Sequence, residues 1–156
     1  MAAKNLSKMS QNFFVNISED FLSVQKAIDF VDAKENGAAD IFVGKVRNHN
    51  LGKEVTAVTY DAFTPLACNV MKKLCEEVIE KFGSQLRCYI EHYKGRLEIG
   101  GISVIIAVGS PHRDVSFKAC RYLIEELKVR VPVWKQEHYV DGDANWLNGQ
   151  ALVEEK

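Results

Sequence analysis

The alternation of strand-like and helix-like stretches predicts an α+β domain with a mixed, largely antiparallel sheet and about three helices. Three observations carry that expectation. Short runs rich in valine, isoleucine and aromatics come in pairs joined by polar, glycine-bearing turns, as antiparallel neighbours do. Three longer stretches place apolar residues at helical spacing. The sequence also contains no GxGxxG, GxxxxGK[ST] or GxSxG, so the usual marks of nucleotide-binding and esterase folds are missing.

Taken in order, Phe13 to Ile17 reads as an opening strand. Ser18-Glu19-Asp20 then has helix-start chemistry, and Val24, Ala27, Ile28 and Val31 recur at helical spacing until Gly37. Ala38 to Val46 (AADIFVGKV) reads as a buried strand delivering Arg47 into a polar loop, Arg47-Asn48-His49-Asn50-Leu51-Gly52. Val55 to Tyr60 resumes strand character. Thr64 is expected as an N-cap with Pro65 at the first helical position, and Leu66, Val70, Leu74, Val78 and Phe82 line a face ended by Gly83. Leu86 to Tyr93 and Ile102 to Val108 are the next strands, joined by the turn KGRLEIGG. The second is nearly all apolar and belongs in the middle of the sheet. A helix after Arg113 carries Phe117, Cys120, Ile124 and Leu127 on one face and Glu125 and Glu126 outside. Pro132 stops it near Lys128 to Arg130. Val131 to Trp134 is a short extended piece, Asp141-Gly142-Asp143 a turn, and Trp146-Leu147 a local dock. The order is β-α-β-β-α-β-β-α-β.

Composition narrows the function classes. The 156 residues are 26% charged and 47% hydrophobic, the profile of an ordinary globular domain. A net charge of -1 argues against nucleic acid as the partner. Neither a signal-length apolar core in MAAKNLSKMSQN nor a run of transmembrane length is present, so a cytoplasmic protein with no membrane partner is expected. Cys68, Cys75, Cys88 and Cys120 form no CxxC pair and no zinc spacing, and are expected as reduced, packed thiols. One domain over 13–150 is expected, with a flexible tail at 1–12 and a short one at 151–156.

The stretch Ser110 to Glu137 concentrates the candidate chemistry. Basic groups sit at both ends of one helix: Ser-Pro-His-Arg at its start, Lys128 at its end, and Lys135 after Trp134. Lys128 in a last helical turn also suits a plain surface charge meeting the helix dipole. The chain turns at Pro132, so Lys128 and Lys135 are able to converge on one cleft, where burial and neighbouring cations lower a lysine's pKa. Arg47 and Arg113 each follow a strand, and a guanidinium fork suits phosphate. His49 and His112 are candidate proton shuttles or donors, with no third ligand to suggest zinc. These residues fit an enzyme acting on a small phosphorylated substrate, a non-catalytic α+β module binding such a ligand, or an assembly protein.

Four segments occurring in one order sharpen this: FVGKVRNHNLGKEV (Phe42 to Val55); Tyr60 followed by Phe63-Thr64-Pro65-Leu66-Ala67; HYKGRLEIGGISVIIAVGSPHR (His92 to Arg113); and LKVRVPVWKQE (Leu127 to Glu137). Together they resemble the molybdopterin synthase catalytic (large) subunit family over roughly Phe14 to Trp146. The resemblance implies an α/β hammerhead type of fold. It implies a sulfurtransferase that inserts two sulfurs into cyclic pyranopterin monophosphate to make the dithiolene of molybdopterin, without a metal or organic cofactor of its own. The sulfur arrives as a thiocarboxylate on the C-terminal Gly-Gly tail of a small ubiquitin-like subunit. Two large subunits form a central homodimer within a heterotetramer. Carried over residue by residue, the resemblance implies catalytic roles for Lys128 and Lys135. Substrate binding is implied at Lys45, Val46, Arg47, His112, Arg113, Lys128, Lys135, Gln136 and Glu137, with His112 and Arg113 open to contribution across the dimer. Relatives often carry a second basic residue where Gln136 stands, and an acidic one where Gly101 stands, a position expected to be structural.

Overall fold

The computed structural model describes Lys8–Met9, residues 12–143 and Trp146. Its centre is the apolar run ISVIIAVGS, which forms strand β8 (Ile102–Ser110), buried at every residue but the first. The run is apolar throughout because both of its faces are covered. Val104, Ile106 and Val108 face one core, with Met71, Leu74, Leu123 and Leu127. Ile105 and Ala107 face a second, with Val31, Tyr89 and Leu97.

Around β8 the described elements are β1 (Lys8–Met9), β2 (Phe13–Ser18), α1 (Val24–Val31), β3 (Ala38–Lys45), β4 (His49–Asn50) and β5 (Lys53–Ala62). They continue as α2 (Thr64–Phe82), β6 (Arg87–Tyr93), β7 (Gly95–Glu98), β8, α3 (Arg113–Arg130), β9 (Val133–Tyr139) and β10 (Gly142–Asp143). One sheet runs β1-β2-β6-β8-β3; the other runs β10-β9-β5-β4, with β7 also paired to β5. Among the described residues only β2 and β6 pair in parallel; the other pairings are antiparallel. The α+β class and the largely antiparallel pairing hold, with the strands divided between two sheets. The four cysteines are buried, unbridged thiols.

Several local expectations are corrected. Helix α1 starts at Ser23, not Ser18. Ser23 Oγ accepts from Lys26 N at 3.2 Å, whereas Ser18 Oγ accepts from Asp20 N at 3.0 Å in a separate turn. The helix is over by Val31, and Gly37 serves a close approach instead. A Cβ there would stand 2.7 Å from the Pro111 carbonyl oxygen that its own N–H reaches. In α2 the cap residue is Phe63, with Thr64 already helical. The face expected through Leu66 and Phe82 drifts, since each four-residue step overshoots the turn by about 40°. Leu74 and Val78 are buried with Ala67, Met71 and Cys75, while Leu66 is exposed. Phe117 of α3 is likewise exposed, and Ser116 and Ala119 take its place inward. The loop after Arg47 is a hairpin, β4–β5, turning at Leu51-Gly52 with φ of 49° and 76°, the signs of a type I′ turn. Strand β7 lies within the expected turn KGRLEIGG, and β9 runs on to Tyr139 because β5 pairs with it throughout. Trp146 is half-exposed, and Leu147 and the tail 151–156 lie outside the described residues.

Candidate active site

Register decides which candidate residues share an end of the molecule. In β3–β8, Ala38 lies opposite Ser110 and Lys45 opposite Ile102. Lys45, Val46 and Arg47 therefore leave the sheet at the end where β8 begins, and Pro111–Arg113 leave it at the other end. Helix α3 then returns along β8 and β3, carrying Lys128 back to the Lys45 end. Arg113 and Lys128 are separated by about 22 Å of helix at 1.5 Å per residue. The structure thus does not draw the two basic ends of this helix together within one chain.

At the Lys45 end, backbone bonds hold the strand exit. Val46 N–H donates to Gly101 O at 2.9 Å and Val46 O accepts from Gly100 N at 2.8 Å. A register shift between Gly44 and Lys45 re-aims the chain there; a Cβ on Gly44 would sit 2.6 Å from Val104 Cγ1. Val46 itself is buried, so it is scaffold at this point, while Lys45 and Arg47 are exposed.

A chain of polar contacts then crosses to β9. Arg47 Nη2 donates to Asn50 Oδ1 at 3.3 Å, and Asn50 Nδ2 donates to Glu137 Oε1 at 2.7 Å. The same oxygen lies 3.3 Å from Lys135 Nζ, with side-chain exposures of 20% for the lysine and 3% for the carboxylate. Tyr139 OH donates to Glu137 Oε2. These contacts follow from strand alternation: Lys135, Glu137 and Tyr139 are two apart and face one way. Gln136 and His138 face the other, where His138 Nε2 and Thr59 Oγ1 are 2.7 Å apart and His138 Nδ1 meets Asp143 Oδ1 at 2.9 Å. Gln136 therefore is not grouped with Lys135 and Glu137.

The electrostatics match this burial. Desolvation disfavours a charge on Glu137, but hydrogen bonds from Tyr139 and Asn50 and the Lys135 cation outweigh it and hold the carboxyl below its usual range. Burial, then the bond to Glu137, pushes Tyr139 up to about 12. Tyr60, opposite Lys135 on β5, is raised chiefly by burial, eased by a bond with Ser103, and its ring meets His92 edge-on at 5.1 Å. Lys128 is half-buried in the last turns of α3 and makes no hydrogen bond or ion pair among the described residues. Along the chain, Val131 and Pro132 separate the end of its helix from β9, which carries Lys135.

At the far end, His112 and Arg113 are exposed; the His112 backbone is pinned by Ser110 Oγ at 2.6 Å, and Ser116 Oγ donates to Arg113 O at 2.8 Å. His112 lines a groove of about 200 Å³ with Phe82, Leu86, Pro111 and Val115. His49 is exposed in β4 and contacts Asn48 at 2.9 Å. Residue patterns missed Asn50 and Tyr139. The available signal was the two-residue spacing from Lys135 to Tyr139, which becomes visible once this segment is a strand.

An α+β protein with an ordered cation–carboxylate chain at one end of its central strand and a second cationic corner at the other is the class these features define. Its family follows from comparison. The profile of the MoaE protein family matches residues 17–130. The molybdopterin synthase catalytic subunit of Synechococcus elongatus is 44% identical over 135 residues, covering 86% of this chain and 82% of the relative. That of a Nostoc species is 36% identical over 141 residues, covering 90% and 84%. Among solved structures, molybdopterin synthase from Staphylococcus aureus superposes with a TM-score of 0.81 at 32% identity, covering 90% of this chain and 98% of that one. The chain belongs to the MoaE protein family.

Proposed function

We propose that this chain is the catalytic subunit of a molybdopterin synthase. It transfers sulfur from the thiocarboxylated C-terminus of a small ubiquitin-like subunit to cyclic pyranopterin monophosphate, forming the dithiolene of molybdopterin. Family membership supports the reaction, and one observation supports the site: the Arg47–Asn50–Glu137–Lys135 chain at the end of the molecule to which α3 returns. The catalytic domain spans 13–150, with tails 1–12 and 151–156, and acts in the cytoplasm; no described helix is long and apolar enough to cross a membrane.

In this reading the thiocarboxylate sulfur bonds to a substrate carbon as a carbon–oxygen bond at that carbon breaks, the oxygen departing as a phosphate oxygen or as water, and the tail is left attached as a thioester. The acyl carbon–sulfur bond then breaks as the Lys128 amine, or a water it deprotonates, takes the acyl group, and the sulfur stays on the pterin as a thiolate. Two such transfers complete the dithiolene. Lys135, held by Glu137, orients the substrate or exchanges its protons. Lys45 and Arg47 bind the anionic substrate, with the Val46 backbone and Gln136 at the margin of the site. His112 and Arg113 come from the second large subunit of the homodimer, because their own chain holds them about 22 Å of helix away from Lys128.

The test mixes the protein with thiocarboxylated small subunit and the pterin precursor and measures dithiolene product. Lys128→Ala should abolish product while leaving the dimer intact, and Arg47→Ala should chiefly raise KM. Full activity in Lys128→Ala removes it from the chemistry. Precursor binding without any turnover by the unaltered protein is the outcome a non-catalytic binding module requires.

A further inference from the structure

The second sheet carries, on the face turned away from Lys135 and Glu137, a line of polar contacts that the sulfur-transfer site does not include. Thr59 Oγ1 and His138 Nε2 are 2.7 Å apart, and His138 Nδ1 is 2.9 Å from Asp143 Oδ1. Hydroxyl, imidazole and carboxylate in that order are the parts of an activated nucleophile. An Nδ1–H given to Asp143 leaves Nε2 bare to accept the Thr59 proton, so one tautomer serves both contacts. No GxSxG elbow is required, because such a triad is defined by geometry and not by sequence.

Strand register builds the line. His138 of β9 lies opposite Asp143 of β10 on one side and opposite Ala57 of β5 on the other, two residues before Thr59. The β5–β9 register shifts between Val55 and Ala57, and Thr56, left over by the shift, donates its hydroxyl to His138 O at 3.0 Å. Bulges of this kind re-aim side chains beside functional sites. The His138 side chain is only 13% exposed, so its ring is held in place. Two donor-bearing residues flank Thr59 in its own row: Gln136 opposite it on β9 and Arg96 opposite it on β7. Arg96 Nε is tied to Glu98 Oε1 at 3.2 Å, and its other nitrogens make no hydrogen bond among the described residues. Trp134, two residues before Gln136, faces the same way and offers an aromatic surface beside the row.

We propose that Thr59, His138 and Asp143 form a second, esterase-type site that cleaves short-chain carboxylic esters of phenols. Thr59 Oγ bonds to the ester carbonyl carbon while His138 Nε2 takes its proton, and the carbonyl oxygen becomes an oxyanion facing Arg96 and Gln136. The bond from that carbon to the phenol oxygen then breaks, and the phenol leaves with the proton from His138. Water adds to the acyl group on Thr59 and gives one proton to His138. The acid departs, and Thr59 recovers that proton. Apart from Gln136 the site shares no residue with the one proposed above.

The test follows nitrophenolate release from para-nitrophenyl acetate by the whole chain over many turnovers. The unaltered protein should turn over repeatedly. Thr59→Val and His138→Gln should each lose about a hundredfold or more, while Thr59→Ser, which keeps a hydroxyl, retains turnover. Arg96→Ala, an exposed change outside both cores, should lose about tenfold or more, and serves as the check if a strand variant fails to fold. Mass spectrometry of the quenched reaction should find an acetyl group on the peptide holding Thr59. Release that stops after one acylation overturns the proposal, as does turnover unchanged in Thr59→Val, His138→Gln or Arg96→Ala. Acetyl groups found on lysines alone overturn it as well.

Discussion

Glu137 is 2% exposed and still favours its charged form, which is possible only because three donors converge on it. Tyr139→Phe removes one of them and should raise the Glu137 pKa. If the charged carboxylate is what holds Lys135, the acidic limb of the kcat/KM profile moves to higher pH in that variant. An unmoved limb separates Glu137's charge from turnover. Asn50→Ala should unlink Arg47 from Glu137 and raise KM more than it lowers kcat. His92 sits behind Tyr60 as a buried neutral imidazole. Burial lowers its pKa to about 4, and the contact of Nδ1 with Tyr93 O at 2.8 Å works weakly the other way. Below about pH 6.5 the unfolded chain takes up a proton that the folded chain refuses. Stability should therefore be full above that pH and fall by up to about 1.4 kcal/mol per pH unit toward pH 4. Denaturant midpoints at pH 7.5 and 5 check this, and His92→Gln should flatten the slope.

At the scale of elements, the β4–β5 hairpin places Asn50, and its turn is strained at one residue. Leu51 takes φ of 49°, a left-handed conformation that costs a branched side chain about 1 kcal/mol. Leu51→Asn, a residue at home in this turn, should raise the melting temperature by about 2–4 °C in calorimetry. The α1 cap is a second check: Ser23→Ala should cost about 1 kcal/mol, while Ser18→Ala leaves the helix start untouched. Both elements show why local reading fell short. Ser18 and Ser23 are chemically equivalent cap candidates, and only packing under α1 selects the second. Gln136 and His138 are polar enough to end the extended reading at Trp134, yet they lie in a strand paired with β5, where Thr59 Oγ1 meets His138 Nε2.

Across the whole molecule, β8 divides two cores, and Leu123→Ala beneath α3 should destabilise the fold by about 2–5 kcal/mol in urea titration. All four thiols lie in the first core, so a thiol reagent should find none in the folded protein and four in denaturant. The sequence by itself determined the three helices, the central place of Ile102–Val108 and the buried cysteines. It also determined family membership through the GKVRNHN, PHR and PVWK segments. These are properties of hydrophobic period and of residues close in the chain, which neighbouring atoms alone can express. Only the tertiary structure decided that Lys128 and Arg113, ends of one basic helix, lie on opposite sides of the chain. Only it joined Arg47 to Lys135 through Asn50 and Glu137, and turned Gln136 away. Strand register and helix direction set those relations, and both are chosen by burial summed over the whole chain, which no local pattern records.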